Sequence, residues 1–215
     1  MGRILIIFVV FLFSCKANKN VFSAPDLASR TTRHQSIAIL PANIVQGNTR
    51  LNQAVETYGH NFQQQLYLQL ANTTKSSDGK VVTVITPEKT KSILSQNNLT
   101  IEQAYQKPPS ELAKLFAVDA IVLVSLSDNG NFSDGPAPGL SGGQNVYNSR
   151  GRNNNLSDQL NPRNLDMAAN VYDAIDGKLL WRTGRKAGPD LSTNMDALIQ
   201  YYAGLIVRKF PYKTR

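Results

Sequence analysis

The segment Ala120-Ile121-Val122-Leu123-Val124-Ser125-Leu126 decides the fold, because it is the most apolar of the strands that the sequence predicts. Six of its seven residues are apolar and three of them are β-branched. This composition and length are typical of a strand buried in a sheet. The elements on either side of it in the chain must then supply its sheet partners and the helices that cover it.

Two further strands are predicted upstream of this segment. Residues 36–44 form a mostly apolar run that is closed by Pro41 and polar residues. The apolar composition favours a buried strand. Residues 81–86 are rich in β-branched side chains and stop at Pro87.

Helices are predicted in both intervals between these three strands. In the first interval, apolar side chains recur at helical spacing and predict an amphipathic helix over 51–71; they are Val55, Tyr58, Phe62 and Leu66. In the second, Pro87 suits the first position of a helix over 88–95, and a short helix over 111–117 follows two prolines. Thr100 and Gln103 have the spacing of a capping box. Strands separated by helices favour parallel pairing.

The C-terminal part predicts an antiparallel hairpin and a last helix. Residues 165–175 alternate in part, Asp176-Gly177 is a two-residue hairpin signal, and 178–185 returns. Ser192 is placed to cap a helix that ends at Pro211. We therefore expect residues 36–215 to form a single α/β domain of two or three layers. Its mixed sheet would have three parallel strands, an antiparallel hairpin and packed helices.

Residues 1–14 predict a leader for export. Arg3 is followed by the apolar run 4–13 and by Ser14, and the next residue, Cys15, is the only cysteine of the chain. The apolar run is about half as long as a membrane span, which needs ~20 residues. An ordinary secretory signal cut after Ser14 remains an alternative. The segment Leu12-Phe13-Ser14-Cys15 resembles the lipobox of bacterial lipoproteins, which implies cleavage before Cys15 and acylation of its thiol.

Residues 15–35 are predicted to be the lipidated cysteine and a flexible tether, because they lack hydrophobic periodicity. Fully extended, the twenty residues after Cys15 would reach at most about 70 Å. A second polar segment, 127–163, contains eight Asn and six Gly and is predicted to be a long loop. We expect this loop to be dispensable for folding.

The chain offers few residues for catalysis or metal binding. His34 and His60 are the only histidines, and no thiol remains once Cys15 is acylated, so neither a zinc site nor another metal site is expected. No phosphate-binding loop, dinucleotide fingerprint or nucleophile elbow occurs, and no cofactor is expected. His34 is placed in the tether and His60 on the surface of a helix. A pair of carboxylates acting on glycans stays open as an alternative.

The formal charge is +8, or +7 after removal of the leader with Arg3. A basic balance favours anionic partners, and an exported protein rarely meets nucleic acid, which is therefore not expected. Basic residues are concentrated in the C-terminal part of the sequence, and several lie within the polar loop. Those predicted to form a binding surface are Arg150, Arg152, Arg163, Arg182, Arg185 and Lys186.

Several segments together resemble the superfamily of TolB amino-terminal domains and curli-secretion lipoproteins, which includes penicillin-binding-protein activator lipoproteins. They are Ser36-Ile37-Ala38-Ile39-Leu40-Pro41, Val81 to Thr86, the helix and strand from Ala113 to Val122, and Val171 to Trp181. The resemblance covers most of residues 36–210. The superfamily shares no catalytic residues, and the resemblance implies an adaptor of the cell envelope.

These observations favour a lipid-anchored, non-enzymatic adaptor or assembly protein of the envelope. The expected location is the outer membrane, facing the periplasm. Its partners would be membrane lipid through Cys15 and an envelope protein or an anionic cell-wall or lipid surface, with self-association possible. The alternative is a small envelope hydrolase that acts on peptidoglycan or glycan through carboxylates, for which a cleft with two converging carboxylates would be the sign.

Overall fold

The computed structural model describes residues 21–45, 53–127, 166–185 and 195–212. These residues form seven strands and six helices. In chain order they are β1 Val21–Ser23, α1 Leu27–Thr31, β2 Ser36–Ile39, β3 Asn43–Val45, α2 Gln53–Leu70, β4 Thr83–Val84, α3 Pro87–Gln96, α4 Ile101–Gln106, α5 Pro109–Phe116, β5 Ala120–Ser127, β6 Asp166–Asp173, β7 Leu179–Arg185 and α6 Met195–Lys209.

All seven strands belong to one mixed sheet in the order β1-β7-β6-β5-β2-β4, with β3 also paired to β5. Strands β2, β3, β4 and β5 run parallel to one another, whereas β6 is antiparallel to β5 and β7, and β1 is antiparallel to β7. The predicted α/β class, the parallel first strands and the antiparallel C-terminal hairpin are thereby confirmed.

Helices cover both faces of the sheet, so the domain has three layers. On the first face, α2 and α6 pack against side chains of every long strand; these include Ile39, Val122, Val171 and Trp181. On the second face, α3, α4 and α5 pack mainly against Ala38, Leu40, Ile121 and Leu123. Strand β5 supplies side chains to both cores, as its almost uninterrupted apolar sequence requires.

The predicted strand over 36–44 is broken at Pro41, which has no backbone N–H to donate. Leu40 still donates to the carbonyl oxygen of Val122 (3.1 Å), but the next donor, Ala42, bonds to Gly59 of α2 instead (3.0 Å). A side chain at Gly59 would collide with the backbone carbonyl of Ala42. The close contact between α2 and the β2–β3 bend therefore requires glycine at this position.

Two other boundaries differ from the prediction. The strand expected over 81–86 is paired only at Thr83–Val84, because Val81 forms an antiparallel bridge with Lys75. The turn of the C-terminal hairpin has four residues, 174–177, since Asp173 donates its N–H to the carbonyl oxygen of Lys178 (3.0 Å). Gly177 takes a φ of +68°, which explains the glycine.

The predicted starts of α3 and α4 are confirmed, whereas the predicted cap Ser192 lies outside the described residues. Thr86 caps α3 by accepting from the N–H of Lys89 (3.2 Å), with Pro87 in the first turn. Thr100 and Gln103 form both bonds of the predicted capping box at α4, at 3.2 and 3.0 Å. These interactions lie within four residues of sequence, which is why local reasoning found them.

The prediction of a flexible tether up to Gln35 is wrong from Val21 onwards. Residues 21–23 form the edge strand β1 on β7, and 27–31 form α1. A three-residue strand and a five-residue helix are too short to show hydrophobic periodicity, so the sequence carried no such signal. Residues 1–20 and most of the predicted loop lie outside the described residues; only Ser127 is described, as the last residue of β5. No helix in the described ranges is long and apolar enough to cross a bilayer.

Candidate functional site

The sheet has two ends with different chemistry. Strands β5 and β7 finish, and β1 and β6 begin, at one end, which we call the Val21 end after the first described residue. The opposite end, where β6 finishes and β7 begins, is crossed by α1 on its way from β1 to β2. We call this second end the Arg30 end. The chain that leads from Cys15 enters the fold at the Val21 end.

The Val21 end carries two of the predicted binding residues, Arg182 and Arg185, both on β7. Arg182 faces the second face of the sheet, where its Nε donates to the side-chain oxygen of Asn170 (2.8 Å). Asn170 is buried, so this bond fixes the guanidinium over strand β6. In the adjacent strand β1, Phe22 lies in register with Arg182 and is 46% exposed.

Arg185 lies three residues further along β7 and therefore points to the first face. Its guanidinium stacks over the ring of Tyr201 in α6, 5.2 Å from the ring centre. Arg185 and Lys209 line a shallow depression with Thr183 and Gly184, which gives this corner two cations. Burial, with the nearby Asp166 carboxylate, raises the pKa of Tyr202 in α6 to about 12, so its ring stays neutral.

The structure does not bring all the predicted binding residues together. Arg182 and Arg185 share the Val21 end but lie on opposite faces of the sheet. Arg150, Arg152, Arg163, Lys186 and Cys15 lie outside the described residues, and their grouping stays a prediction.

At the Arg30 end, one arginine gathers three carboxylates. Arg30 of α1 binds Asp26 through Nε (2.7 Å), Asp173 through Nη1 (3.0 Å) and Asp176 through Nη2 (2.9 Å). Lys178 binds the same oxygen of Asp26 at 2.7 Å. We call these five residues the Arg30 cluster. It joins α1 to the β6–β7 turn and so holds the N-terminal segment on the sheet.

The electrostatics of the cluster follow from these contacts. Lys178 and then Arg30 lower the pKa of Asp26 to about 2. Asp173, Asp26 and Asp176 together raise the pKa of Arg30. Burial opposes the ionisation of Asp176, but the N–H of Lys178 and the Arg30 guanidinium outweigh it and lower its pKa. Asp26, Arg30 and Asp176 are therefore ionised at neutral pH.

His34 is held against this cluster, contrary to its predicted place in a flexible tether. It is 5% exposed; its Nδ1 lies 2.6 Å from the hydroxyl of Tyr212 and its Nε2 lies 3.5 Å from Asp173. A neutral ring with its proton on Nε2 accepts from Tyr212 and faces Asp173. Burial lowers the pKa of His34, although the Asp173 carboxylate works against that shift. The same burial raises the pKa of Tyr212.

An Asp–His–Tyr arrangement of this kind could move protons, but here its members are buried: Asp173 and Tyr212 are 0% exposed. The three carboxylates that converge in this part of the chain all bind Arg30, so they do not form the open pair that a glycosidase uses. No group of three or more potential metal ligands occurs within the described ranges. His60, on α2, is half-exposed and faces Glu56 at 4.0 Å.

The sequence analysis missed the Arg30 cluster altogether. Two signals were present: Asp26 and Arg30 are four residues apart, the spacing of a helical ion pair, and Asp173 and Asp176 flank a turn. The first lies in the segment predicted to be a flexible tether, and the second lies around the predicted hairpin signal Asp176-Gly177. Their meeting depends on pairing between β1 and β7, which the sequence did not predict.

The chain is similar to solved structures at low sequence identity, among them the following three. One is lipoprotein GNA1162 from Neisseria meningitidis, with a TM-score of 0.42, 14% identity and coverage of 81% of this chain and 96% of that one. The second is the LpoB C-terminal domain from Salmonella enterica, with a TM-score of 0.39, 13% identity and coverage of 72% and 83%. The third is the PelC dodecamer from Paraburkholderia phytofirmans, with a TM-score of 0.40, 12% identity and coverage of 91% and 96%.

At these values the similarity assigns neither a family nor a function to this chain. No protein-family model matches the sequence, and no curated protein matches it.

Proposed function

We propose that this protein is a lipid-anchored, non-enzymatic adaptor or assembly protein of the bacterial cell envelope. The acyl chains on Cys15 would hold it in the outer membrane, facing the periplasm, and the folded domain would bind an envelope protein or polymer. The single observation that carries the proposal is the position of β1. Strand β1 begins at Val21, six residues after the only cysteine of the chain.

This position changes the reach of the domain. Six residues span at most about 21 Å, against about 70 Å for the tether predicted over the twenty residues after Cys15. A domain attached by so short a linker stays at the bilayer surface. An adaptor of this kind serves partners in or next to its own membrane, and the stretch that spans the periplasm must come from the partner.

The Arg30 cluster supports the same function. Because Arg30 and Asp26 bind the β6–β7 turn, the segment next to the anchor is part of the rigid domain. The anchor therefore restricts the orientation of the whole sheet relative to the bilayer, which a flexible tether would not do. Binding then draws on the basic residues, where rim charges affect association rate and salt dependence more than stability.

The experiment has two parts. The first replaces Cys15 with Ala and fractionates cells, while mass spectrometry of the N-terminal peptide reports the acyl chains of the wild type. We expect an acylated Cys15 in the wild type and loss of the variant from the membrane fraction. A variant that stays membrane-bound with unchanged migration would overturn the anchor.

The second part incubates the purified protein with peptidoglycan and measures released fragments. The variants are Asp166→Asn in β6, Asp173→Asn in the Arg30 cluster and Asp196→Asn in the first turn of α6. We expect no turnover by the wild type. Turnover that disappears in one carboxylate-to-amide variant would place the protein among the hydrolases instead.

A further inference from the structure

We infer that the corner of the sheet formed by Phe22, Arg182 and Arg185 docks on an anionic phospholipid surface. The inference rests on the proposed function, since it takes the bilayer to hold Cys15. The docking would set the orientation of the domain on its own membrane, with the Val21 end towards the lipid and the Arg30 end away from it.

The short connection between Cys15 and β1 favours this surface over the rest of the domain. Residue 21 enters the sheet at the Val21 end, and the six-residue connection to Cys15 keeps that end within about 21 Å of the anchor. The opposite sheet edge, β4, is five strand spacings away, or about 24 Å. Of the two edges, only β1 is held next to the bilayer.

Phe22 supplies the apolar contact. It is 46% exposed on the edge strand β1. Transfer of this apolar area from water to an apolar environment is favourable. Aromatic side chains at the boundary between headgroups and acyl chains have an apolar environment available. Phe22 is also the closest of the exposed large apolar side chains to Cys15 in the described sequence.

Arg182 and Arg185 supply the charge. Arg182 lies in register with Phe22, and its Nε bond to Asn170 holds its guanidinium on the same face of the sheet as Phe22. Arg185 is exposed at the end of β7. Asp166, the first residue of β6, is only 3% exposed and so is shielded from an approaching headgroup. Basic residues next to a membrane bind anionic lipid.

A second copy of the chain could also occupy this corner by pairing with β1. The length of β1 argues against that pairing. The strand has three residues, and so short an edge offers few hydrogen bonds to another strand. The short connection to Cys15, by contrast, keeps this corner within about 21 Å of the lipid anchor.

Tryptophan fluorescence tests the inference in the anchored protein. Trp181 is the only tryptophan and is 2% exposed, so it gives a constant background. Phe22→Trp places a reporter at the corner. Val81→Trp is the matched control, because Val81 is more exposed (72%) and lies beside the opposite edge strand. Both full-length proteins are extracted from membranes and reconstituted into vesicles of phosphatidylcholine and phosphatidylglycerol, with or without brominated acyl chains.

We expect brominated lipid to reduce the added emission of Phe22→Trp about twofold and to leave Val81→Trp unchanged, since interfacial groups sit at the headgroup–acyl boundary. Adding Arg182→Glu and Arg185→Glu should return the Phe22→Trp signal to the control level. Equal quenching at both positions would overturn the inference, and so would a blue shift without quenching that grows with protein concentration. The latter result would indicate a second copy at this corner.

Mass spectrometry of the N-terminal peptide separates the two proposals. An acylated protein whose Phe22→Trp emission is not quenched overturns the docking surface and leaves the anchor intact. A chain found without acyl groups contradicts the proposed function. It is then coupled through its Cys15 thiol to a maleimide phospholipid, and the same quenching comparison decides the docking surface.

Discussion

The two faces of the sheet differ in how far the helices cover them. On the first face, α2 and α6 pack against strands from β2 to β7 and bury large rings, including Phe62, Trp181 and Tyr202. On the second face, the apolar core ends at Tyr172 and Leu179, and beyond it β6, β7 and β1 present Asn170, Arg182 and Phe22. Within the described ranges, α3–α5 cover only the half of this face that carries the parallel strands.

One face of the sheet therefore holds the domain together, whereas the other has polar side chains available for contacts. A buried aromatic ring removes 150–250 Å² from water, whereas a half-exposed arginine contributes little to stability. The Arg30 cluster closes the end of the sheet between the two faces. The contribution of the Arg30 cluster to stability should lie between those of a buried aromatic ring and a half-exposed arginine, because its ions are partly buried and each is paired.

The largest expected loss of stability is that of Trp181→Ala, which is compared with Arg182→Ala. The two residues are neighbours in β7 and their side chains point to opposite faces of the sheet. Trp181→Ala leaves a cavity beside Phe210, whose ring it meets edge-on at 5.9 Å, and should lower the free energy of unfolding by about 3–5 kcal/mol. Arg182→Ala removes one bond to Asn170 and should cost about 1 kcal/mol. Urea unfolding followed by circular dichroism measures both. Similar losses would show that the two faces do not differ as described.

A smaller effect is expected at the Arg30 end. Asp173→Asn removes one of the three carboxylates of Arg30 and should lower the free energy of unfolding by about 2 kcal/mol. Hydrogen exchange should then rise first in residues 21–35, because the ion pairs hold this segment on the sheet. Asp78→Asn, which breaks the ion pair with Lys80, is the control; it should lower the free energy of unfolding less and leave the exchange of residues 21–35 unchanged. Unchanged exchange in Asp173→Asn would mean that β1 pairing alone holds the segment.

The smallest effect is a pH dependence carried by His34. Its pKa in the folded state lies below the unfolded value of about 6.5, so its contribution to stability is complete above pH 6.5 and is lost as the pH falls through the folded value. The melting temperature of the wild type should therefore fall between pH 7 and pH 5. Asp26 and Asp176, whose pKa values are lowered, extend this loss below pH 4.

The matched variants are His34→Gln and His60→Gln. The first should flatten the dependence between pH 7 and pH 5, whereas the second changes the half-exposed histidine of α2 and should leave it as it is in the wild type. The slope is compared rather than the melting temperature itself, because loss of the Tyr212 contact also lowers stability at every pH. If the slope flattened in His60→Gln and not in His34→Gln, the role given to His34 would be wrong.

The sequence by itself determined the elements whose signals are local. The apolar run of β5, the periodicity of α2 and the capping box at Thr100 each extend over a few neighbouring residues, and each was found within a residue or two of its position. The alternation of strands and helices then implied parallel pairing and the α/β class. Cys15 and its surroundings similarly predict an anchor from contiguous residues, and that prediction awaits its test.

The arrangement at the two ends of the sheet depends on pairing between segments that are far apart in the chain. Val21–Ser23 is too short to be predicted as a strand; it forms because β7 offers a free edge, and Arg30, His34 and Asp173 meet because that pairing brings distant segments together. Likewise, Arg182 and Arg185 are close in sequence, yet the two-residue period of a strand places them on opposite faces. Contacts between residues far apart in the chain leave no periodic signal in either segment, so their geometry had to come from the fold.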